Sequence, residues 1–422
     1  MIYDVAGVGI GPFNLGLSSL LDAKPSIKKI FFEQKPEFGW HLGIMPKWST
    51  LQIPFLADLV TLVDPMSRFS FLNYLKNERR LHRFYIYENF YISREEYNKY
   101  CLWVSKQQEG LFFGKRVDEI VYDSDNQLYQ LNVVDVVSGI SEKFRAKNLV
   151  LGTGTQSAKP DFFKDNEPNH CLVNEYSYRS EDLKRTDIIT VVGSGQSGAE
   201  VFYDLLLDIE HNPYRLQWIG RDVNFMAMDL NKLALEITTP DYSSFFFGLP
   251  DNKKKSLIKK QGLLYKGINK NLLKAIYDYI YENYETLQNR VSIYPGVEML
   301  DYQEKNGSNW EILARSLSSD KEIKLDTQAI ILALGFEYVE PSFMNGLDGV
   351  VNRNSKGNLL VSENYTIDAR NTIFVQNVGL EQHGVVTPDL SMGPFRNAVI
   401  ANQLFDCDYY TPDQQFTFQR FV

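Results

Sequence analysis

Two glycine-rich turns, each set between an apolar run and a helix-spaced one, constrain this chain more than anything else in it. They are Gly9-Ile10-Gly11-Pro12-Phe13-Asn14 and Gly193-Ser194-Gly195-Gln196-Ser197-Gly198. The first follows Ile2-Tyr3-Asp4-Val5-Ala6-Gly7-Val8 and leads into Leu15, Leu17 and Leu20. The second follows the β-branched run Ile188-Ile189-Thr190-Val191-Val192 and leads into Ala199-Glu200-Val201-Phe202. Strand, turn and helix in that order make a dinucleotide cradle. The glycines permit a tight turn and close backbone approach to a pyrophosphate, whose charge is held by the free N–H groups that open the helix. One such unit predicts a dehydrogenase; two predict a flavin fed by a nicotinamide nucleotide.

The residues after each unit sharpen this reading. The strand Lys29-Ile30-Phe31-Phe32 ends in Glu33, where a carboxylate bonds an adenosine ribose hydroxyl, which assigns FAD to the first cradle although Asn14 replaces its third glycine. The strand Leu216-Gln217-Trp218-Ile219-Gly220 ends instead in Arg221, whose guanidinium suits a 2′-phosphate through paired charge-assisted bonds. NADPH is therefore expected over NADH in the second cradle.

Composition excludes several other classes. A chain of 422 residues that is 44% hydrophobic can bury a sizeable core and form two or three domains. A formal net charge of −9 opposes nucleic-acid binding, and the short basic run Lys253-Lys254-Lys255 with Lys259-Lys260 reads as a solvated helix face. Cys101, Cys171 and Cys407 form neither a CxxC pair nor a metal-ligand spacing, so dithiol redox chemistry and a metal site are not expected. The chain enters its first strand at residue 2 without a charged leader and has no apolar run of about 18 residues, which predicts a cytoplasmic protein with no membrane partner.

The expected fold class is α/β, with two Rossmann-like dinucleotide-binding domains and a small, mainly helical substrate-capping region. Apolar strands ending in glycine, at Asn148–Gly154 and Ala329–Phe336, mark where the chain passes between domains. Residues 1–160 and 331–422 are expected to form the FAD domain and residues 161–330 the NADPH domain. Residues 222–290 are expected to supply the cap, with Leu272, Leu273, Ile276, Tyr277 and Ile280 forming one apolar stripe.

With these residues in place, the chain resembles the flavin-dependent N-hydroxylating monooxygenases, the lysine, ornithine and diamine hydroxylases of hydroxamate siderophore biosynthesis. The resemblance runs over nearly the whole length. It rests on Gly9-x-Gly11-Pro12-x-Asn14, on Phe38-Gly39-Trp40-His41 with Met45, and on Leu51-Gln52-Ile53-Pro54-Phe55-Leu56-Ala57-Asp58-Leu59-Val60-Thr61-Leu62. Asp64-Pro65 leading to Phe69–Leu75, Gly193–Glu200 and Ala333-Leu334-Gly335-Phe336 complete it. The resemblance implies that NADPH reduces FAD, that the reduced flavin takes up O2 as a C4a-hydroperoxide, and that a neutral primary amine attacks it to give a hydroxylamine. It implies no catalytic side chain, since the flavin carries the chemistry. Trp40, His41, Gln52 and Pro54 would line the flavin, with Leu390 and Ser391 returning to its ribityl or ring side. A homodimer or homotetramer is also implied.

A departure from the resemblance bears on the substrate. Ala57 stands where the ornithine hydroxylases carry a lysine that pairs with the amino-acid carboxylate, and Leu235 stands where they carry an asparagine before Glu236. A buried carboxylate without either partner costs several kcal/mol, roughly. A decarboxylated amine is therefore expected, putrescine or cadaverine first, with histamine or L-lysine and L-ornithine as alternatives. Gln52, Ala57, Leu235, Glu236 and Asp241 are the candidate substrate residues, the last acids being nearest in sequence to meet a far ammonium. The rival from another class is an NADPH-dependent flavin reductase of a protein partner.

Overall fold

The computed structural model describes residues 1–165, 167–307, 309–413 and 415–422. A mixed sheet and a parallel sheet organise it. In the first, Leu111–Phe113, Lys29–Glu33, Ile2–Val8 and Ser141–Leu151 lie side by side in parallel, and Ile373–Val375 joins the last of these. Ser141–Leu151 serves two partners, and its burial pattern shows where it changes. Its exposed first half pairs antiparallel with Leu128–Asp135, which pairs in turn with Lys115–Asp123, whereas Leu149, Val150 and Leu151 are buried and run parallel to Ile2–Val8. A strand covered on both faces needs an unbroken apolar run, and that is what the second half supplies.

The second sheet has five parallel strands in the order Val291–Pro295, Arg215–Gly220, Ile188–Val192, Ala329–Leu332, His170–Leu172. An antiparallel meander of Val297–Asn306, Asn309–Ser316 and Glu322–Thr327 is inserted before Ala329–Leu332. The chain leaves the first sheet through Gln156–Ser157 and returns through Phe336–Glu337, and these two short strands pair with each other. The fold is thus α/β, with one strand–glycine turn–helix unit in each of these two sheets.

Three short helices, Lys232–Leu235, Pro240–Phe247 and Asp251–Lys260, sit outside the second sheet. Thr239 caps Pro240–Phe247, with Pro240 in the first turn where its missing N–H costs nothing. Tyr242 and Phe246 of that helix pack on Val386 and Met392 from the C-terminal part of the chain.

Three expectations change here. Helix Lys270–Glu282, inside the stretch 222–290 expected to cap the substrate, carries the crossover between parallel strands Arg215–Gly220 and Val291–Pro295, and its Leu272 and Ile276 join the second sheet's core. Tyr277 is not part of that helix's buried stripe but is 70% exposed and stacks on Tyr281, whereas Leu272, Leu273, Ile276 and Ile280 face the second sheet's core. Lys254 is buried, its ammonium over the Phe247 ring, so the basic run is not wholly solvated.

Candidate functional site

The first cradle is built from one glycine that must be glycine for the protein's sake and one that need not be. Gly9 has φ +85°, and a Cβ there would lie 2.3 Å from the Gly152 carbonyl oxygen. Its N–H donates to the Phe32 carbonyl at 2.8 Å. Gly11 is different. A Cβ on it would meet nothing within 4 Å, and it caps helix Pro12–Leu21 with no side-chain bond, so the helix's first N–H groups face open space. That is a cradle a pyrophosphate fits. Asn14 does not face it. It is buried and braces the turn from within, its Nδ2 donating to the carbonyls of Gly9 at 2.8 Å and Val8 at 3.3 Å while its amide packs against Gly152. Glu33 closes the turn by accepting from Ile10 N–H at 2.9 Å and from Lys35 N–H at 3.0 Å.

The second cradle repeats this division. A Cβ on Gly193, at φ +146°, would lie 2.1 Å from the Ala333 carbonyl oxygen, and one on Gly198 would lie 2.4 Å from that of Gly193. Gly195, which caps helix Gln196–Asp208, has only the Lys266 carbonyl within reach, at 3.7 Å. Ser194 Oγ donates to Asp222 Oδ2 at 2.7 Å, Gln196 Oε1 accepts from Asn269 N–H at 2.7 Å, and Ser197 is half-buried. Gly193 N–H donates to the Ile219 carbonyl as Gly9 N–H does to that of Phe32, so Gly220 holds the place that Glu33 holds in the first cradle. The acid that would repel a 2′-phosphate is absent there. Arg221, next along, is exposed and in no ion pair among the described residues.

Between the cradles lie the residues of the second motif block. Trp40 N–H donates to Asn98 Oδ1 at 2.9 Å, and its ring meets Tyr97 and His41 edge-on. His41 sits at φ +52° with its ring 5.7 Å from Phe336, on the strand where the chain re-enters the first domain. Burial first, and the Arg94 cation second, push its imidazole down to about 4, so it is neutral near pH 7. Yet much of its surface is accessible: a side chain crowded by protein and still open faces a cleft. Gln52 Nε2 is sealed from solvent and has no hydrogen-bond partner among the described residues. An orphan donor of this kind fits a polar ring edge. Pro54 accepts from Ala57 N–H at 3.0 Å, and Leu390 lines a small cavity with Pro12, Phe13, Asp58 and Gly393. Ser391 Oγ donates to Asp389 Oδ1 at 2.7 Å. A cleft of about 470 Å³ between Lys164, Glu167, Tyr302 and Trp310 touches neither cradle. The open cradles at Gly11 and Gly195 and the orphaned Gln52 amide therefore fit a flavin and a nicotinamide dinucleotide.

The candidate substrate residues do not gather in one place. Ala57 is buried and Leu235 is 37% exposed. Glu236 accepts from the N–H groups of Phe418 and Gln419, both at 2.9 Å, and Asp241 accepts from Phe416 N–H and Thr417 Oγ, both at 3.0 Å. Both acids fasten the C-terminal segment over the cap, Glu236 through both oxygens and Asp241 through Oδ2 alone. Sequence separation hid this, since the partners lie some 175 to 183 residues away. Two residues that matter here, Arg94 and Asp389, went unremarked in the sequence, and Glu200 stood only as the end of the second cradle's motif. Arg94 and Glu200 pair across the domains, and Asp389 lies two residues before Ser391; Glu200, inside a quoted motif, and Asp389, adjacent to a quoted pair, carried a local signal, and Arg94 carried none.

Comparison with known proteins bears on this arrangement. The family described as L-lysine 6-monooxygenase/L-ornithine 5-monooxygenase matches residues 1–338. A putrescine N-hydroxylase of Acinetobacter baumannii is 41% identical over 423 residues, covering 100% of this chain and 94% of the relative. One of Shewanella oneidensis is 39% identical, covering 100% and 84%. The FAD-bound crystal structure of the cadaverine monooxygenase of desferrioxamine biosynthesis from Erwinia amylovora superposes with a TM-score of 0.96 at 38% identity, covering 99% of this chain and 98% of that one.

Proposed function

This chain belongs to the L-lysine 6-monooxygenase/L-ornithine 5-monooxygenase family and is a flavin-dependent N-hydroxylating monooxygenase using FAD, NADPH and O2; from that premise we propose that its substrate is a diamine, putrescine or cadaverine. The observation that carries the substrate is Ala57, a buried methyl where a carboxylate-bearing substrate would need a cation. The full-length similarity to putrescine N-hydroxylases and to a cadaverine monooxygenase supports it, and the same relatives support a place in hydroxamate siderophore biosynthesis.

Bound FAD supplies the redox and oxygen-transfer chemistry. In this reading residues 1–160 and 331–422 hold it, with Gly9, Gly11, Pro12 and Glu33 on the dinucleotide and Trp40, His41, Gln52, Pro54, Leu390 and Ser391 around the ring and ribityl chain. Residues 161–330 hold NADPH through Gly193–Gly198 and Arg221, and the cap lies within 222–290. Neutral His41 orients without exchanging a proton near pH 7. The cap and the paired crossing strands keep water from the cleft, which suppresses unproductive proton leakage. A reducing, cytoplasmic setting suits the three unpaired cysteines, and the exposed Tyr85, Ile86, Tyr87 and Phe90 support a homo-oligomer.

The test is hydroxylamine formation with FAD and NADPH across putrescine, cadaverine, histamine, lysine and ornithine at equal concentration. A diamine should dominate. Dominance of lysine or ornithine would overturn the substrate reading and leave the family assignment standing.

A further inference from the structure

A diamine brings a charge that nothing above accommodates. The nitrogen that reacts is neutral, while the one at the far end has an ordinary pKa of about 10 and stays protonated. Inside a closed site that ammonium needs an anion.

Most interior carboxylates already have their oxygens filled. Asp58 accepts from Val60 and Thr61 N–H on one oxygen and from Thr61 Oγ and Phe71 N–H on the other. Asp368 is filled in the same way by Arg370, Thr372 and Ile373. Asp204 accepts from Trp48 and Tyr176, Glu200 is paired with Arg94, and both oxygens of Glu236 bind the C-terminal segment. Asp241, on the cap helix Pro240–Phe247, gives only Oδ2 to that segment, so the acid that keeps an oxygen open beside the first cradle is Asp389. Its Oδ1 accepts from Ser391 N–H at 2.8 Å and Oγ at 2.7 Å, while its Oδ2 accepts no hydrogen bond, and the carboxylate enters no ion pair, among the described residues.

Its placement suits the task. Asp389 lies in the turn between Gly384–Val386 and helix Met392–Phe405. Downstream, Leu390 and Gly393 line a cavity with Pro12 and Phe13 of the first cradle. On the other flank, Val386 and Met392 pack against Tyr242 and Phe246 of the cap. Burial holds its carboxyl above the usual carboxylate range, yet part of the side chain stays accessible, as for a group that opens on an internal space.

We propose that Asp389 selects the diamine, its free Oδ2 pairing with the distal ammonium while the near amine is presented to the flavin. This rests on the diamine reading above.

The experiment compares kcat/KM for hydroxylamine formation from cadaverine and from n-pentylamine, which lacks the second nitrogen, in the wild-type holoenzyme, D389N and D389S. Flavin absorbance checks folding, and D389N keeps an oxygen for the Ser391 bonds. The wild type should favour cadaverine, and both variants should lose that preference by roughly 10- to 100-fold, mainly through KM, the size of a lost charge-assisted bond. A wild-type preference for cadaverine that survives in D389N and D389S would overturn the assignment alone. A wild type that hydroxylates neither putrescine nor cadaverine would overturn the diamine reading and this assignment with it.

Discussion

Arg94 and Glu200 join the two nucleotide-binding halves through a buried bidentate ion pair, Nη1 to Oε2 at 2.8 Å and Nη2 to Oε1 at 2.6 Å. Glu200 lies one turn inside the helix that Gly195 caps, and Gln196 donates to the same carboxylate at 2.6 Å. A buried acid so near a phosphate cradle needs its cation. Arg94→Ala should cost about 3–5 kcal/mol, because it strands that charge. Arg94→Ala and Glu200→Gln should both slow flavin reduction by NADPH more than reduction by dithionite. Urea unfolding and stopped-flow reduction check the two effects separately.

The two kinds of glycine make opposite predictions. Gly9→Ala should destabilise the protein, because the new methyl would strike the Gly152 carbonyl at a left-handed φ. Gly11→Ala and Gly195→Ala should leave the melting temperature nearly unchanged, since their methyls touch nothing in the protein closer than 3.7 Å. Each should instead weaken its own nucleotide, FAD or NADPH, by roughly tenfold or more, about 1.4 kcal/mol. Calorimetric melting beside nucleotide titration distinguishes the classes.

Arg221 should set the preference for NADPH. Arg221→Ala should raise the KM for NADPH roughly 10- to 100-fold and leave that for NADH almost unchanged, the loss of a charge-assisted contact. Steady-state kinetics with both nucleotides would show it, and an equal loss for NADH would remove the assignment.

Two buried histidines make the fold acid-sensitive. Burial pushes His170 and His383 down to about 4 from an ordinary 6.5. Unfolding lets each take up a proton below about pH 6.5, so their stabilising effect is complete above that pH and falls away as pH drops toward about 4. The slope should approach about 1.4 kcal/mol per pH unit for each. His170, with Tyr302 and Trp310 edge-on to its ring, is the cleaner test. His170→Phe should flatten the pH dependence of urea unfolding between pH 6.5 and 5.

The C-terminal segment should govern how well the cap closes. Phe421 lies 5.0 Å from Tyr242, and Glu236 and Asp241 hold the backbone beside it. Deleting Phe416–Val422 should raise the amine KM and the share of NADPH consumed without hydroxylamine, read by comparing NADPH oxidation with product formed.

Much of the fold was legible because it is local. A strand, a glycine turn and a helix fit within some tens of residues, and the period of their apolar side chains announces them. The same locality made Lys254 and Tyr277 misleading, because helical spacing gives a helix its faces without saying what lies against each one. At the site, the glycines and the Phe38–Leu62 block were readable as chemistry, whereas Arg94 looks like an ordinary surface charge, and Glu200 like the tail of a glycine motif, until packing pairs them across 106 residues.

By itself, the sequence determined that this protein has two dinucleotide cradles, the family it belongs to, and, through the missing cation at Ala57, the expectation of a substrate without a carboxylate. Backbone sterics and side-chain period act over short distances, so they survive in a linear string. Only the tertiary structure decided which acids are free: Glu236 binds the C-terminal segment through both oxygens, Glu200 is claimed by Arg94, Asp241 holds that segment through Oδ2 alone, and Asp389 keeps its Oδ2 open beside the first cradle. The state of a carboxylate depends on the donors that packing brings within about 3 Å of it, and no local pattern records those.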